Sequence, residues 1–192
     1  IFSASTIDDC QLVGILDTST QNIGQITQNG LDLSASYRVD TPVGELTLNG
    51  AVTKILKLER AILPGAPIQD GLDVIGEQIS TRGNARATLR NGPWTGNVVM
   101  NYIGGVYNNN TPTSKGGRVP FYNVPKWVTW DMQVGYAPEF ETGLFSGTRL
   151  TFGIRNFTNE DAPIVLTGTV SHDDGNHNLW GRIYQLELTK TF

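Results

Sequence analysis

Hydrophobic and polar residues alternate one by one along several segments of the chain. In residues 31–40 the apolar positions are Leu31, Leu33, Ala35, Tyr37 and Val39, and the residues between them are polar. Successive side chains of a β-strand point to opposite faces, so this period of two predicts a strand with one apolar and one polar face. The alternation recurs in residues 45–52, 84–90, 94–102, 128–136, 149–155 and 184–192. The chain is therefore predicted to be all-β, with about seven strands of roughly nine to thirteen residues, longer than is usual in soluble sheets.

The connections between these strands differ in length. Residues 41–44 and 91–93 are short and contain the Pro and Gly that tight turns need, residues 138–147 are of moderate length, and residues 59–77, 105–125 and 158–179 are long. Tight turns at one end and long loops at the other are typical of antiparallel up-and-down transmembrane β-barrel strands. About eleven residues at about 3.3 Å each, tilted by about 40°, span roughly 28 Å, which is close to the hydrocarbon thickness of a bilayer.

Aromatic residues lie near both ends of the apolar alternation. Tyr37, Trp94, Tyr136 and Phe192 fall near the tight turns, whereas Tyr102, Trp130 and Tyr184 fall nearer the long loops. Two such groups are typical of the interfacial girdles of a membrane barrel, but the same residues could fill the core of a β-sandwich. Two alternatives therefore stay open: a complete small eight-stranded outer-membrane barrel with a structural or adhesive role, and a soluble β-sandwich binding module.

Composition and charge narrow the class of protein. The chain has 192 residues, of which 39% are hydrophobic, so it is expected to fold. Its formal net charge is −4, so it lacks the basic footprint of a protein that binds nucleic acid. No run of about 18 apolar residues indicates a membrane-spanning helix. Cys10 is the only cysteine, which excludes an internal disulfide and leaves open a buried thiol or a bond to a cysteine elsewhere.

Candidate chemistry is sparse. Residues 172–177 read His-Asp-Asp-Gly-Asn-His and contain both histidines, but their spacing matches no metal signature and predicts a solvated loop. The sequence has neither a Gly-x-Ser-x-Gly nucleophile motif nor a phosphate-binding glycine-rich loop. We therefore expect a protein that is not an enzyme and that needs no metal or cofactor.

Charged residues on the polar side of the alternation are the candidate binding residues. Arginines there could hold an anionic ligand or the carboxylates of another domain through bidentate contacts, or they could line a hydrated wall balanced by acidic neighbours. The candidates are Asp32, Arg38, Arg86, Arg90, Asp131, Arg149 and Arg155, with Glu187 nearby in the pattern.

Several motifs in order along residues 22–192 resemble the C-terminal part of a TonB-dependent outer-membrane receptor. They are Asn22-Ile23-Gly24, Gly30-Leu31-Asp32-Leu33 with Tyr37, Tyr122-Asn123-Val124-Pro125 before a Trp-Asp strand, Gly153-Ile154-Arg155-Asn156-Phe157-Thr158-Asn159 with Pro163, and Gly181-Arg182-Ile183-Tyr184 before Phe192. Thr158 stands where the family usually has Phe. The most specific of these elements is the last strand with its terminal aromatic residue.

The resemblance implies a 22-stranded barrel in the bacterial outer membrane, filled by an N-terminal plug. Such a receptor imports a scarce nutrient, for example a siderophore, cobalamin or a carbohydrate, with energy passed from the TonB complex to the TonB box of the receptor. Residues 1–192 would be the C-terminal portion of the barrel, residues 1–21 an extracellular loop, and the plug would lie outside this sequence. The polar candidates would face the lumen or the plug, and the apolar face would meet membrane lipid. Tyr184, Leu186, Leu188 and Phe192 would form the signal read by the barrel-assembly machinery.

Overall fold

A computed structural model describes residues 24–61, 63, 65–108, 122–140, 143, 145–165, 173 and 175–191. The strands in this part of the chain are β1 (Gln25–Thr41), β2 (Gly44–Ala61), β3 (Gln69–Asp70), β4 (Thr81–Asn91), β5 (Trp94–Ile103), β6 (Val106–Asn108), β7 (Tyr122–Val124), β8 (Trp127–Tyr136), β9 (Thr148–Arg155) and β10 (Ile183–Lys190). Among these residues, no helix has the length and hydropathy needed to cross a bilayer.

The long strands form one antiparallel sheet in chain order. The order is β1-β2-β4-β5-β8-β9-β10, with the short β3 paired to β2, while β6 and β7 form a separate two-stranded sheet. If the short strands β3, β6 and β7 are left aside, each long strand lies beside the long strand that precedes or follows it in the chain, which is an up-and-down arrangement. The prediction of an all-β, antiparallel up-and-down sheet is confirmed.

Strand lengths and two of the connections differ from the sequence prediction. β1 and β2 have 17 and 18 residues, whereas β9 and β10 have 8 each. β2 continues to Ala61 and pairs with β3 inside the segment predicted as a long loop from residue 59, and the β6–β7 hairpin lies within residues 105–125. Backbone pairing needs no apolar side chains, so these strand ends carry no alternation that a sequence pattern would detect.

The two predicted tight turns are confirmed, and both depend on glycine. β1 and β2 are joined through a turn in which the Thr41 hydroxyl donates to the carbonyl oxygen of Gly44 at 2.7 Å. Gly44 has φ of 120° and Gly92, in the turn between β4 and β5, has φ of 53°. Both values lie in the left-handed half of conformational space that glycine adopts without strain.

The register keeps the two kinds of side chain on separate faces. One row across the sheet joins, strand by strand, Leu48, Ala87, Val98, Met132, Ile154 and Tyr184. We call this side the apolar face. Many of its large side chains are open to the surroundings, including Leu33 at 69% and Leu186 at 73% exposure. The second sheet among the described residues has only the two short strands β6 and β7, and the exposure of these side chains shows that the face is not covered like the inner face of a β-sandwich.

A bulge in β2 changes which residues share the opposite side, called here the polar face. Gly30 pairs with Ile55 and Asn29 with Lys57, so Leu56 is an extra residue. In β2, the residues on the polar face therefore have odd numbers up to Ile55 and even numbers from Leu58 onward. A Cβ atom at Gly30 would lie 2.7 Å from the Lys54 carbonyl oxygen, so this close approach requires glycine.

A small hydrophobic core lies at the long-loop end of the sheet. Ile79, Val106, Val124 and Val165 are buried together, with Val165 fully so, and Ile75 and Ile103 pack against them. These side chains come from β6, β7 and the segments around them. The core therefore ties the connections after β2, β5 and β9 to the end of the sheet.

Candidate functional site

The polar face carries the charged residues that the sequence analysis selected. The register places all seven candidates there, namely Asp32, Arg38, Arg86, Arg90, Asp131, Arg149 and Arg155. The alternation in the sequence was sufficient to find this shared face. Contact of these residues with a lumen or a plug stays a prediction.

At the tight-turn end, two of the candidate arginines, Arg38 and Arg90, are paired with an acid. Arg38 Nη1 lies 3.5 Å and Arg90 Nη1 lies 3.3 Å from the carboxylate of Glu45, so one acid bridges three strands. The arginine side chains remain more than half exposed, and exposed pairs of this kind contribute only about 0–1 kcal/mol. Asp32, farther along β1 from this turn, accepts a hydrogen bond from the Thr53 hydroxyl at 2.5 Å.

Asp131 has a bridging role that the sequence pattern does not reveal. Its Oδ1 accepts the Asn156 backbone N–H at 2.8 Å, and its Oδ2 accepts the Asn101 amide at 3.0 Å. Asn156 is buried, has φ of 49°, and binds both the N–H and the carbonyl oxygen of Glu160 through its side chain at 2.9 Å. Asp131 thus fixes the turn by which the chain leaves β9.

We expect Asp131→Ala to lower the free energy of unfolding by about 2 kcal/mol, because it removes two acceptors and leaves the Asn156 N–H without its partner. Denaturant unfolding of the full-length protein measures this change. Gln133→Ala on the same strand and face is the matched control, because among the described residues Gln133 accepts a single weak hydrogen bond, at 3.4 Å from Asn97. Equal losses for the two variants would contradict a bridging role for Asp131.

Two arginines at the middle of the polar face line a cavity. The cavity has a volume of about 170 Å³, and its lining includes Arg86, Arg155, Asp131, Gln133 and Gln185. An adjoining cavity of about 260 Å³ shares Asp131 and Arg155 with it. Arg155 therefore lies between two recesses of the polar face.

Two arginines and one acid, Asp131, line this cavity, so positive charge is in excess there. In the part of the chain that the structure describes, Arg86, Arg149 and Arg155 make no ion pair. The nearby carboxylate of Asp131 already accepts two hydrogen bonds. Two guanidinium groups at one cavity with their donors free are suited to bind a carboxylate or another oxyanion in a bidentate manner.

His177 is buried against Trp127, which lines the larger of the two cavities. Its side chain is 5% exposed, and its ring meets the Trp127 ring edge to face with centroids 5.4 Å apart. Neither ring nitrogen has a hydrogen-bond partner among the described residues. Burial lowers the pKa of His177 below its ordinary value; Asp173 opposes this shift and Arg82 adds to it. The spacing of residues 172–177 predicted a solvated loop, and this is wrong for His177, because its burial against Trp127 is a tertiary contact that spacing does not show.

Acidification should loosen this contact. Since the folded-state pKa of His177 is depressed, its stabilising contribution is present above the ordinary pKa of about 6.5 and is lost as the pH falls below it. Hydrogen exchange of residues 175–181, corrected for intrinsic rates, is expected to show less protection at pH 5 than at pH 7. His177→Phe keeps a ring against Trp127 without the titration and should abolish the difference. The same pH response in that variant would contradict the assignment to His177.

The structure describes some, but not all, of the residues predicted for the assembly signal, the N-terminal loop and the loop at 172–177. Tyr184, Leu186 and Leu188 lie on the apolar face of β10 and are largely exposed, while Phe192 lies outside the described residues. Residues 1–21 with Cys10, together with His172 and Asp174, also lie outside them. Among the described residues, no three His, Cys, Asp or Glu side chains come together as metal ligands.

Of three comparisons with known proteins, one, with models of protein families, identifies the family of this chain. Comparisons with curated proteins and with solved structures gave no match. The model of the family described as TonB dependent receptor-like, beta-barrel matches residues 1–157. This is a family of receptors and transporters and not of enzymes, and its barrels belong to the bacterial outer membrane. The match covers most of the chain and agrees with the two-faced antiparallel sheet, and the chain belongs to the TonB-dependent receptor-like β-barrel family.

Proposed function

We propose that residues 1–192 form the C-terminal portion of a TonB-dependent receptor barrel in the bacterial outer membrane. Together with a plug and further strands, this portion binds and imports a scarce nutrient, and TonB supplies the energy through the N-terminal part of the receptor. The observation that carries the proposal is the sheet itself. Its uncovered apolar face suits lipid, and its opposite face holds arginines that have no acidic partner among the described residues.

The edges of the sheet support a larger barrel. Within the described residues, β1 and β10 each pair with one neighbour only. An open edge leaves backbone N–H and C=O groups without partners, which is costly in hydrocarbon. Further strands that pair with both edges would satisfy these groups, and the family's 22-stranded barrel would provide them.

The arginines at the central cavity suggest how the polar face is used. We propose that this face lines the lumen and that Arg86 and Arg155 bind carboxylates of the plug. Charge-assisted bidentate pairs are strong and specific in direction, so they would position the plug without covering the face in apolar contacts. Asp131 would hold the shape of this site through its hydrogen bonds to Asn156 and Asn101, and its single negative charge would offset only part of the charge of the two arginines.

Growth measurements test the transport function. A strain that lacks the full-length gene is compared with its parent on limiting iron-siderophore complexes, cobalamin and carbohydrates, each with and without TonB. We expect one nutrient to support growth only when both the gene and TonB are present. Growth that depends on the gene but not on TonB would overturn active transport and favour the small-barrel alternative.

The last strand is proposed to direct assembly. Tyr184, Leu186 and Leu188 form an exposed apolar row on β10, which, with Phe192, would be read by the barrel-assembly machinery. Deleting Phe192 from the full-length protein should lower the amount in the outer membrane. Unchanged insertion at normal expression would contradict this signal. Residues 1–21 are proposed to belong to an extracellular loop.

A further inference from the structure

The apolar face contains a deep groove at its long-loop half. The groove has a volume of about 430 Å³, and its lining includes Leu33, Ala35, Gly50, Gly83 and Tyr102. It arises because Ala35, Gly50 and Ala85 form a row of small residues across the sheet, with Gly83 in the next row, between the larger Leu33 on β1 and Tyr102 on β5. A Cβ atom at Gly50 would meet one atom only, the Asn84 carbonyl oxygen at 3.9 Å. The groove is thus open above Gly50.

A cation lies at one end of this groove. Thr81 is part of the lining, and Lys54 Nζ lies 2.9 Å from the Thr81 hydroxyl and 2.9 Å from the Ser80 hydroxyl. The register places Lys54 on the apolar face, in the row next to Val52 on the long-loop side. Lys54 is exposed and, within the described residues, makes no ion pair. An ammonium group fixed by two hydroxyls therefore stands where the apolar band ends.

A second groove on the same face lacks this feature. It has a volume of about 240 Å³, lies nearer the tight turns and is lined by Leu46, Ala87, Leu89, Gly96 and Val98 among others. Among the described residues, no Lys or Arg bonds to a residue of this lining as Lys54 bonds to Thr81 in the first groove. The two grooves share their apolar chemistry and differ in the cation. The long-loop groove alone combines a surface for a hydrocarbon chain with a positive charge at its polar end.

We propose that the long-loop groove binds one lipid with an anionic, phosphate-bearing headgroup. An acyl chain would lie over Gly50 and Gly83, and the headgroup would accept hydrogen bonds from Lys54 Nζ and the Thr81 hydroxyl. Burial of the chain gives the groove its affinity for lipid, and the positive charge near the surface selects an anionic headgroup. The inference rests on the proposed membrane location and adds a specific lipid site to it.

Lipid retention by the full-length protein tests the site. The protein is inserted into vesicles with equal amounts of phosphatidylglycerol and phosphatidylcholine of the same acyl chains, extracted in mild detergent, and analysed for bound lipid by mass spectrometry. We expect phosphatidylglycerol to be retained about fivefold over phosphatidylcholine, the factor that one lysine near the surface supplies. Added inorganic phosphate should not displace it, because free phosphate lacks the acyl chain.

Three variants separate the parts of the site. Lys54→Gln should keep bound lipid but bring the ratio close to one, and Gly50→Leu should fill the groove and remove most of the retained lipid. Gly96→Leu, which adds the same side chain to the second groove without meeting any atom within 4 Å of its Cβ, should change neither. Unchanged selectivity in Lys54→Gln, or unchanged retention in Gly50→Leu, would overturn the lipid site. A protein that never enters the bilayer would overturn the membrane location as well, whereas an inserted protein without lipid preference would overturn the lipid site alone.

Discussion

Met132→Arg is expected to lower the free energy of unfolding of the membrane-inserted protein by about 2–4 kcal/mol. Met132 lies on the apolar face of β8 between Val98 and Ile154, so the new charge would face hydrocarbon. Gln133→Arg is the matched control, because Gln133 lies on the polar face at the central cavity. Its cost should be far smaller. Urea unfolding from lipid vesicles measures both variants.

Stability alone does not distinguish lipid from a protein core, so a second measurement accompanies this prediction. In a protein without Cys10, single cysteines are introduced in turn at Val128, Trp130, Met132 and Val134 and labelled with a fluorophore. The protein is then inserted into vesicles of lipids with brominated chains, which quench a fluorophore that contacts them. These positions share the apolar face and should be quenched, while Thr129, Asp131 and Gln133 should not. Equal quenching on both faces would contradict a lipid-facing apolar face.

Gly44→Ala is expected to destabilise the protein by about 3 kcal/mol or more. Its φ of 120° is rarely adopted by residues with a side chain, a strain of about 1–3 kcal/mol. In addition, the new Cβ would lie 2.1 Å from the Arg90 carbonyl oxygen, which belongs to the neighbouring strand backbone. The fraction of protein that migrates as folded barrel in unheated gel samples, together with urea unfolding, measures the loss.

Gly92→Ala is the control for this turn position. Gly92 also has positive φ, 53°, but a Cβ there would meet no atom within 4 Å. Its cost should be about 1 kcal/mol, the penalty of the left-handed conformation alone. If the two alanine variants lost equal stability, the close approach of Gly44 to β4 would not matter for folding.

The sequence predicts the parts of this fold that depend on local pattern. The alternation around Leu33, Leu48 and Met132 places these side chains on one face, and the pairing confirms it. The turn before Gly44 is also visible, because Pro and Gly have fixed conformational preferences. Both signals arise from a residue and its nearest neighbours, so they need no knowledge of the register.

Other parts depend on contacts between distant segments. Asp131 reads as one more polar residue of β8, and only the pairing of strands brings the Asn156 N–H to its carboxylate. The burial of His177 against Trp127 likewise joins a loop to a strand 50 residues earlier. The sequence identifies the arginines of the polar face, but the absence of acidic partners for Arg86 and Arg155 among the described residues appears only in three dimensions.

The bulge at Leu56 makes the tolerance of β2 to length changes depend on position. Before the bulge, from Glu45 to Lys54, β2 is paired without interruption with β1 on one side and β4 on the other. Losing one residue there would turn every following side chain of β2 to the wrong face. At the bulge, Leu56 already lies outside the pairing. Its deletion would change how the segment up to Ile55 is joined to the segment from Lys57, while each segment keeps its own pairing with β1. Insertions and deletions that survive in relatives of this chain should therefore collect around residue 56 and be rare within residues 45–54.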